Sequence, residues 1–389
     1  MSKERVDPMV RALNLRQTLL NDDKVLLVDF SGTLEGKDTS RVIDLMPNRA
    51  GRFVFRAKVN VKPIDPLAAI EYNLPYCNVD TMDPAAILYT VKHAEFDFPL
   101  WYANEPDFDV RRVGDYNLPF ILQVGGCNFH DGTRTGGCHY CFVDWISNDG
   151  LVATGKTYVG IDDVIDSMLA ARERIKAQYA AVGKDINIRV LRVSGGEPII
   201  VLDWIGALWR RVVERGLDFV GQVDTNLSLP YLWNTYYYRE LAKLPVKFLA
   251  AIKGTDDKNL QENVQSTATM ADQLQHLKLL LDSGIDFYPQ LYNPNPATLR
   301  AYLEKMDGII DNFSLRAHIG PLKVGYGPTR DRLTAEAIER GRSPEEYIAG
   351  KEAEYKRNYT EGCGILDDYL QEVHGVHYRE VVRSSVTLG

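Results

Sequence analysis

Apolar and polar positions follow two regimes along the chain. Up to about residue 115 the pattern is irregular: short apolar stretches such as Val25-Leu26-Leu27-Val28-Asp29-Phe30 and Arg52-Phe53-Val54-Phe55 are broken by prolines and turn residues. Both stretches are expected strands in an N-terminal region, 1–115, of mixed structure. From about 118 the pattern becomes regular. Phe120-Ile121-Leu122-Gln123-Val124 reads as a buried strand running into Gly125-Gly126. Ile161, Val164, Ile165, Met168, Ile175 and Tyr179 then recur at helical spacing with charges between them. Ile186 to Val193 is a second strand, ending in Ser194-Gly195-Gly196. A helix over about 203–215 stops before Gly216. Phe219 to Val223 is a third strand, a helical stretch lies near 233–243, and Val246 to Ile252 is a fourth strand. Met270, Leu274, Leu277 and Leu281 mark a helix that ends at Gly284. Ile285 to Leu291 and Phe313 to His318 are the fifth and sixth strands, with a short helix from Pro296 between them.

Strand followed by helix, six times over, implies an α/β fold with a parallel sheet curled into a full or partial barrel. The expected core spans 116–325. Beyond it, 326–389 reads as a C-terminal helical extension, with Ser343 as cap and Pro344 in the first turn of its main helix. In such folds the working residues gather at the C-terminal ends of the strands. Here those ends carry a cysteine-rich loop, Gly195-Gly196-Glu197, Asp224-Thr225-Asn226 and Lys253.

Composition narrows the class. The chain has 389 residues, 45% hydrophobic and 25% charged, enough for a sizeable core and unlike a disordered chain. Its 45 basic against 53 acidic residues give a net charge of −8, which argues against broad nucleic-acid binding. No apolar run is long enough to span a bilayer, and the first residues do not resemble a signal peptide, so the expected location is cytoplasmic.

The cysteines change the picture most. There are five, and three of them, Cys127, Cys138 and Cys141, stand at Cys-x10-Cys-x2-Cys spacing on a glycine-rich loop after the first strand. An odd, sparse set in a large chain is not a disulfide framework. Thiolates are soft ligands for iron–sulfur clusters and for zinc. Three of them can hold three irons of a [4Fe–4S] cluster and leave the fourth open, while Gly132, Gly136 and Gly137 let backbone wrap close. On these residues alone a zinc site completed by His130 or His139 remains a second reading.

The cysteine loop after the first strand, with Ser194-Gly195-Gly196-Glu197-Pro198 after the second, resembles the radical S-adenosylmethionine (radical SAM) superfamily over about 118–320. The resemblance implies a partial (β/α)6 radical SAM barrel. It implies Cys127, Cys138 and Cys141 as cluster ligands and Tyr140 as the aromatic residue against adenine. Gly195, Gly196, Glu197 and Pro198 would receive the methionine part of S-adenosylmethionine. Asp224, Thr225 and Asn226 would face the ribose or carboxylate. Lys253, in an Ile-Lys-Gly segment similar to that of radical activases, would neutralise the cofactor carboxylate, with Arg316 on the sixth strand as a further candidate. The chain departs from the family's usual Cys-x3-Cys-x2-Cys in its first gap of ten residues, which leaves the subfamily open. An electron donor such as ferredoxin or flavodoxin is implied, with a peptide, a protein or a small molecule as substrate. An RNA-modifying enzyme and a noncatalytic zinc- or cluster-binding scaffold are the alternatives.

Cys77 and Cys363 are too few for a second four-cysteine cluster. Each is either a hydrogen-atom donor to a product radical or a buried structural thiol. Gly325 to Arg332 is a turn-rich basic stretch, either a binding loop for a substrate phosphate or carboxylate or a solvated loop. Trp233 and Tyr236-Tyr237-Tyr238 either line a groove or pack in the core.

Overall fold

In a computed structural model, the residues described are 5–26, 34, 42–44, 55–58, 120–150, 158–180, 190–381, 383 and 386–389. The chain opens with helix α1 (Pro8–Leu19), which the polar start of the sequence hid. Its signal is local: Asp7 caps it by accepting from the N–H groups of Met9 and Val10, and Pro8 occupies the first turn. Ala12, Leu15 and Leu19 form its buried stripe. Strands β1 (Leu20–Asn21) and β2 (Lys24–Leu26) make a small antiparallel sheet that a later strand, β6 (Tyr158–Val159), joins.

The main sheet holds β3 (Val42–Asp44), β4 (Phe55–Lys58), β5 (Phe120–Val124), β7 (Val190–Gly195), β8 (Val220–Thr225), β9 (Val246–Ile252), β10 (Phe287–Tyr292) and β11 (His318–Gly320). Its order is β11-β10-β9-β8-β7-β5-β4-β3. Pairing is parallel from β5 through β11, the six-stranded parallel sheet expected, while β3 and β4 extend it antiparallel at the β5 edge. The expected strands at 25–30 and 52–55 fall partly outside the described residues; Lys24–Leu26 and Phe55–Lys58 are the parts seen.

The helices are α2 (Trp145–Asp149), α3 (Ile161–Ala180), α4 (Leu202–Glu214), α5 (Thr235–Ala242), α6 (Asp257–Asn263), α7 (Met270–Asp282), α8 (Pro296–Asp307), α9 (Phe313–Arg316), α10 (Gly327–Glu339) and α11 (Pro344–His374). Signals read from the sequence are in use at Pro296, in the first turn of α8, and at Ser343, which caps α11, while Thr269 and Asp272 add a capping box for α7 and Asn295 caps α8. The expected sixth strand is a correction. Phe313–Arg316 is one helical turn, and the strand begins only at His318. An apolar run this short fits either element; in the helical turn Phe313 is fully buried. The stretch Gly325–Arg332 is likewise not a loop in its second half, since α10 starts at Gly327.

Alternation along the strands sorts the residues. Leu122, Val124, Leu191, Val193, Val223, Phe248, Ala250, Ile252, Phe287, Leu291 and Ile319 face the helices and build the larger core. The opposite face carries Gln123, Arg192, Ser194, Gln222, Asp224, Tyr288, Gln290 and His318, an unusually polar set for buried strands. A second, smaller core joins the cysteine loop to the C-terminal helices: Phe129, Cys138 and Tyr140 pack with Leu260, Val264, Leu333, Ala337, Tyr347, Ile348 and Tyr355. No helix among the described residues is long and apolar enough to cross a membrane.

Candidate functional site

The end of β5 and the end of β7 are locked together. Gly196 N–H donates to Val124 O and Glu197 N–H to Gly126 O, both at 2.9 Å. A β-carbon on Gly196 would lie 1.7 Å from Gly126 O, so the approach requires glycine. The Glu197 carboxylate, 1% exposed, accepts from the backbone N–H groups of Asn226 (2.8 Å) and Ile199 (3.2 Å). It thereby ties β7 to β8 and caps the turn that begins at Pro198. Burial pushes its carboxyl up to about 7, against the pull of those hydrogen bonds and of Lys253.

The cysteine loop starts directly after this joint. Cys127 N–H donates to Asn148 O of α2, and Asn148 Nδ2 donates to Cys141 Sγ at 3.4 Å. Cys141 N–H closes a turn on Cys138 O. Gly137, at φ +83°, turns the chain so that its carbonyl accepts from Gln265 N–H and His139 N–H donates to Asn263 O, pinning Cys138 beside Val264. Cys127, Cys138, Cys141 and Cys363 are free thiols. Burial, then the neighbouring Cys138, pushes the Cys127 thiol well above its ordinary value. Burial likewise lifts Cys138 to about 11, with Lys253 pulling it back and Cys141 pushing it up. Cys127 thus feels both other thiols, and the Lys253 ammonium is felt by Cys138.

Among the described residues no set of three or more His, Cys, Asp or Glu is gathered closely enough for a single metal ion. Three free thiols on one glycine-rich loop, packed against one small core, are a donor set of the kind that suits a [4Fe–4S] group, which takes each thiolate on a different iron. His139, one of the two histidines considered for zinc, has its ring hydrogen-bonded to Glu336. The other, His130, accepts from Gly132 N–H on Nδ1, and burial, then the charge of Arg332, presses it down to about 3, so it is neutral.

Lys253 follows β9. Its Nζ lies 4.2 Å from the ring centre of Tyr292 and 5.6 Å from that of Tyr140. Among the described residues no carboxylate pairs with it. Tyr140 is held between Tyr292, stacked at 6.1 Å, and Tyr355, edge-on at 6.1 Å.

The segment Asp224-Thr225-Asn226 splits three ways. Asp224 accepts from Arg192, Ser194 and Gln222 on the polar face. Thr225 Oγ1 accepts from Leu227 N–H. Asn226 Nδ2 donates to Asn128 Oδ1 inside the cysteine loop. Arg316 is a correction. It sits on α9, not on a strand, and pairs with Asp286 just ahead of β10. Its charge is neutralised at the end of the sheet away from the cysteines. Cys363 lies on α11 in the larger core, not in the one that holds the cysteine loop, and burial pushes its thiol up to about 12. Cys77 lies outside the described residues. Tyr238 is buried and bonded to His276, whereas Tyr236 is exposed and Tyr237 packs against Trp233.

Sequence patterns gave no sign of what α10 does. Asp331 pairs with Arg134, Glu339 accepts from Thr135, Arg332 donates to Gly136 O (3.2 Å) and Cys141 O (2.9 Å), Thr329 donates to Cys141 O, and Glu336 holds His139. Arg134, Thr135 and Gly136 all belong to the ten-residue gap between Cys127 and Cys138. The long gap is what α10 grips. Its length was the only signal available, and its partner stands almost 200 residues away.

No protein-family model matches the chain, and no curated protein matches it. Solved structures give likenesses of low identity. A structure of anSMEcpe with bound AdoMet is 16% identical with a TM-score of 0.34, over 57% of this chain and 58% of that one. The cobalamin-dependent S-adenosylmethionine radical enzyme OxsB is 12% identical with a TM-score of 0.34, over 59% of this chain and 30% of that one. The FeFe-hydrogenase maturase HydG from Carboxydothermus hydrogenoformans is 11% identical with a TM-score of 0.35, over 75% of this chain and 72% of that one. The matched part spans less than two thirds of the first two. At these scores the likenesses carry no argument about this chain.

Proposed function

We propose that this chain is a radical SAM enzyme. The observation that carries the proposal is that Cys127, Cys138 and Cys141, all free thiols, pack against one small core with Tyr140, over whose ring Lys253 stands, close to the joint between Gly196 and Val124. Cys127, Cys138 and Cys141 would hold a [4Fe–4S] cluster, with Asn148 orienting Cys141. That group, reduced by one electron, supplies reductive cleavage of the sulfonium of S-adenosylmethionine to methionine and a 5′-deoxyadenosyl radical. The chain's own residues bind, orient and exclude water. Lys253 meets the carboxylate of the methionine part, and the Gly195-Gly196 backbone its amino group. Tyr140 offers an aromatic face beside them. Glu197 keeps the ends of β7 and β8 in register.

The radical would act over the polar face of the sheet. Gln290 there is 1% exposed, and neither its amide oxygen nor its nitrogen has a hydrogen-bond partner. It lies between Ala251 and His318 in register. An unmet donor and acceptor side by side suit a polar substrate, whether a small molecule or a peptide, that presents both. The electron would come from a reduced ferredoxin or flavodoxin.

The test is anaerobic reconstitution with iron and sulfide, reduction with dithionite, and assay of 5′-deoxyadenosine after adding S-adenosylmethionine. Wild type should produce it. Protein that retains zinc, takes up no cluster and releases no 5′-deoxyadenosine would instead be a metal-binding scaffold.

A further inference from the structure

Arg332 on α10 is 1% exposed, yet no carboxylate among the described residues pairs with it. Its Nε and Nη1 donate to Gly136 O and Cys141 O, backbone carbonyls of the cysteine loop, and its Nη2 is buried with no partner. Glu336, one turn further along α10, is occupied by the His139 ring and the Tyr347 hydroxyl. A guanidinium cannot shed its proton, and burying a charge without a counter-ion costs several kcal/mol. An arrangement of this kind is sustainable when an anion stands beside it in the functional state. The cysteine loop would provide one. Three thiolates outweigh the positive charge of an oxidised [4Fe–4S] core, and reduction adds a further electron.

We infer that Arg332 is a positioning residue for the cluster: it closes the extended cysteine loop from the C-terminal side and places a buried positive charge against the cluster that favours the reduced state. This rests on the cluster assignment above and adds to it a residue outside the strand-end motifs. The same contact explains the long first gap. Ten residues between Cys127 and Cys138 bring Arg134, Thr135 and Gly136 out to meet Asp331, Glu339 and Arg332. Lys253 then serves the cofactor's carboxylate from one side, and Arg332 serves the cluster from the other.

Arg332→Gln and Arg332→Lys separate charge from hydrogen bonding. Each is reconstituted anaerobically as the full chain, its iron and sulfide are counted, and the cluster's midpoint potential is measured by EPR-monitored redox titration. The inference predicts a potential for Arg332→Gln clearly more negative than wild type, with Arg332→Lys staying near wild type. Uptake of the cluster by Arg332→Lys but not by Arg332→Gln would also support it, since the charge would then be needed for assembly. Equal potentials in both variants and wild type would overturn it. So would equal shifts in both, or loss of the cluster from both, because the fork to the two carbonyls would then matter and the charge would not. Absence of a cluster from wild type itself is a different failure, that of the cluster assignment.

Discussion

The two cores of this molecule are built on different principles. The larger one, between the outer face of the sheet and its helices, is built mainly of apolar residues at strand or helix spacing. Its cohesion comes from area removed from water, about 25 cal/mol per Å², and any side chain of similar size and polarity serves. The smaller one, around the cysteine loop, mixes Phe129, Tyr140 and Leu333 with a web of hydrogen bonds and ion pairs from α1, α2, α6 and α10. Its partners are specific and far apart in sequence. The first core makes the fold, and the second makes a place where buried thiols and buried cations can coexist.

That contrast can be broken from either side. The largest effect should come from replacing Cys127, Cys138 and Cys141 together by alanine. Iron uptake and 5′-deoxyadenosine production should vanish, while the circular-dichroism spectrum and the cooperative melt of the large core persist. Phe248→Ala should do the opposite. This ring is fully buried on β9, and its loss should cost about 3–5 kcal/mol by denaturant unfolding, lowering stability whether or not the cluster is bound.

A pH series tests the joint between the two regions. The Glu197 carboxyl, pushed up to about 7 in the folded chain, returns to about 4.5 on unfolding. The folded state therefore holds a proton that the unfolded state releases, and stability should fall as pH rises from about 4.5 to about 7, by up to about 3 kcal/mol. Urea midpoints of the cluster-free protein across this range should show the slope, and Glu197→Gln should flatten it. Lys253→Met removes a charge that pulls the Glu197 carboxyl down, so it should steepen that slope, and it should weaken S-adenosylmethionine binding about tenfold, or about 1.4 kcal/mol, by calorimetry on the reconstituted protein. The smallest effect belongs to Asp331→Asn. Its pair with Arg134 is partly exposed, and such pairs are worth under about 1 kcal/mol, so the melting temperature should barely move.

The same contrast explains what could be read from sequence. The six parallel strands and their helices followed from periodicity, because the larger core depends only on where apolar residues recur. The exceptions were short. Phe313–Arg316 is too brief for period to separate helix from strand, and α1 shows its cap, Asp7-Pro8, more clearly than its stripe. In the site, the cysteines, Gly195-Gly196-Glu197 and Lys253 were legible because they follow strand ends. Arg316 was misplaced because its strand was. Glu336, Asn148 and Asn263 were not legible at all, and Arg332 only as the end of a basic stretch read toward the substrate. They act through single hydrogen bonds to residues distant in sequence, and no local pattern records such bonds. The insertion between Cys127 and Cys138 looked like a departure from a motif and proved to be the loop's contact with α10.

The central claim is that the three thiols hold a four-iron cluster with one iron open to S-adenosylmethionine. Mössbauer spectroscopy of protein reconstituted anaerobically with ⁵⁷Fe tests it most directly. The account predicts the spectrum of a [4Fe–4S] cluster in which one iron site in four changes when S-adenosylmethionine is added and the other three do not. A spectrum that shows no such cluster, or one that S-adenosylmethionine leaves untouched at every site, would contradict it.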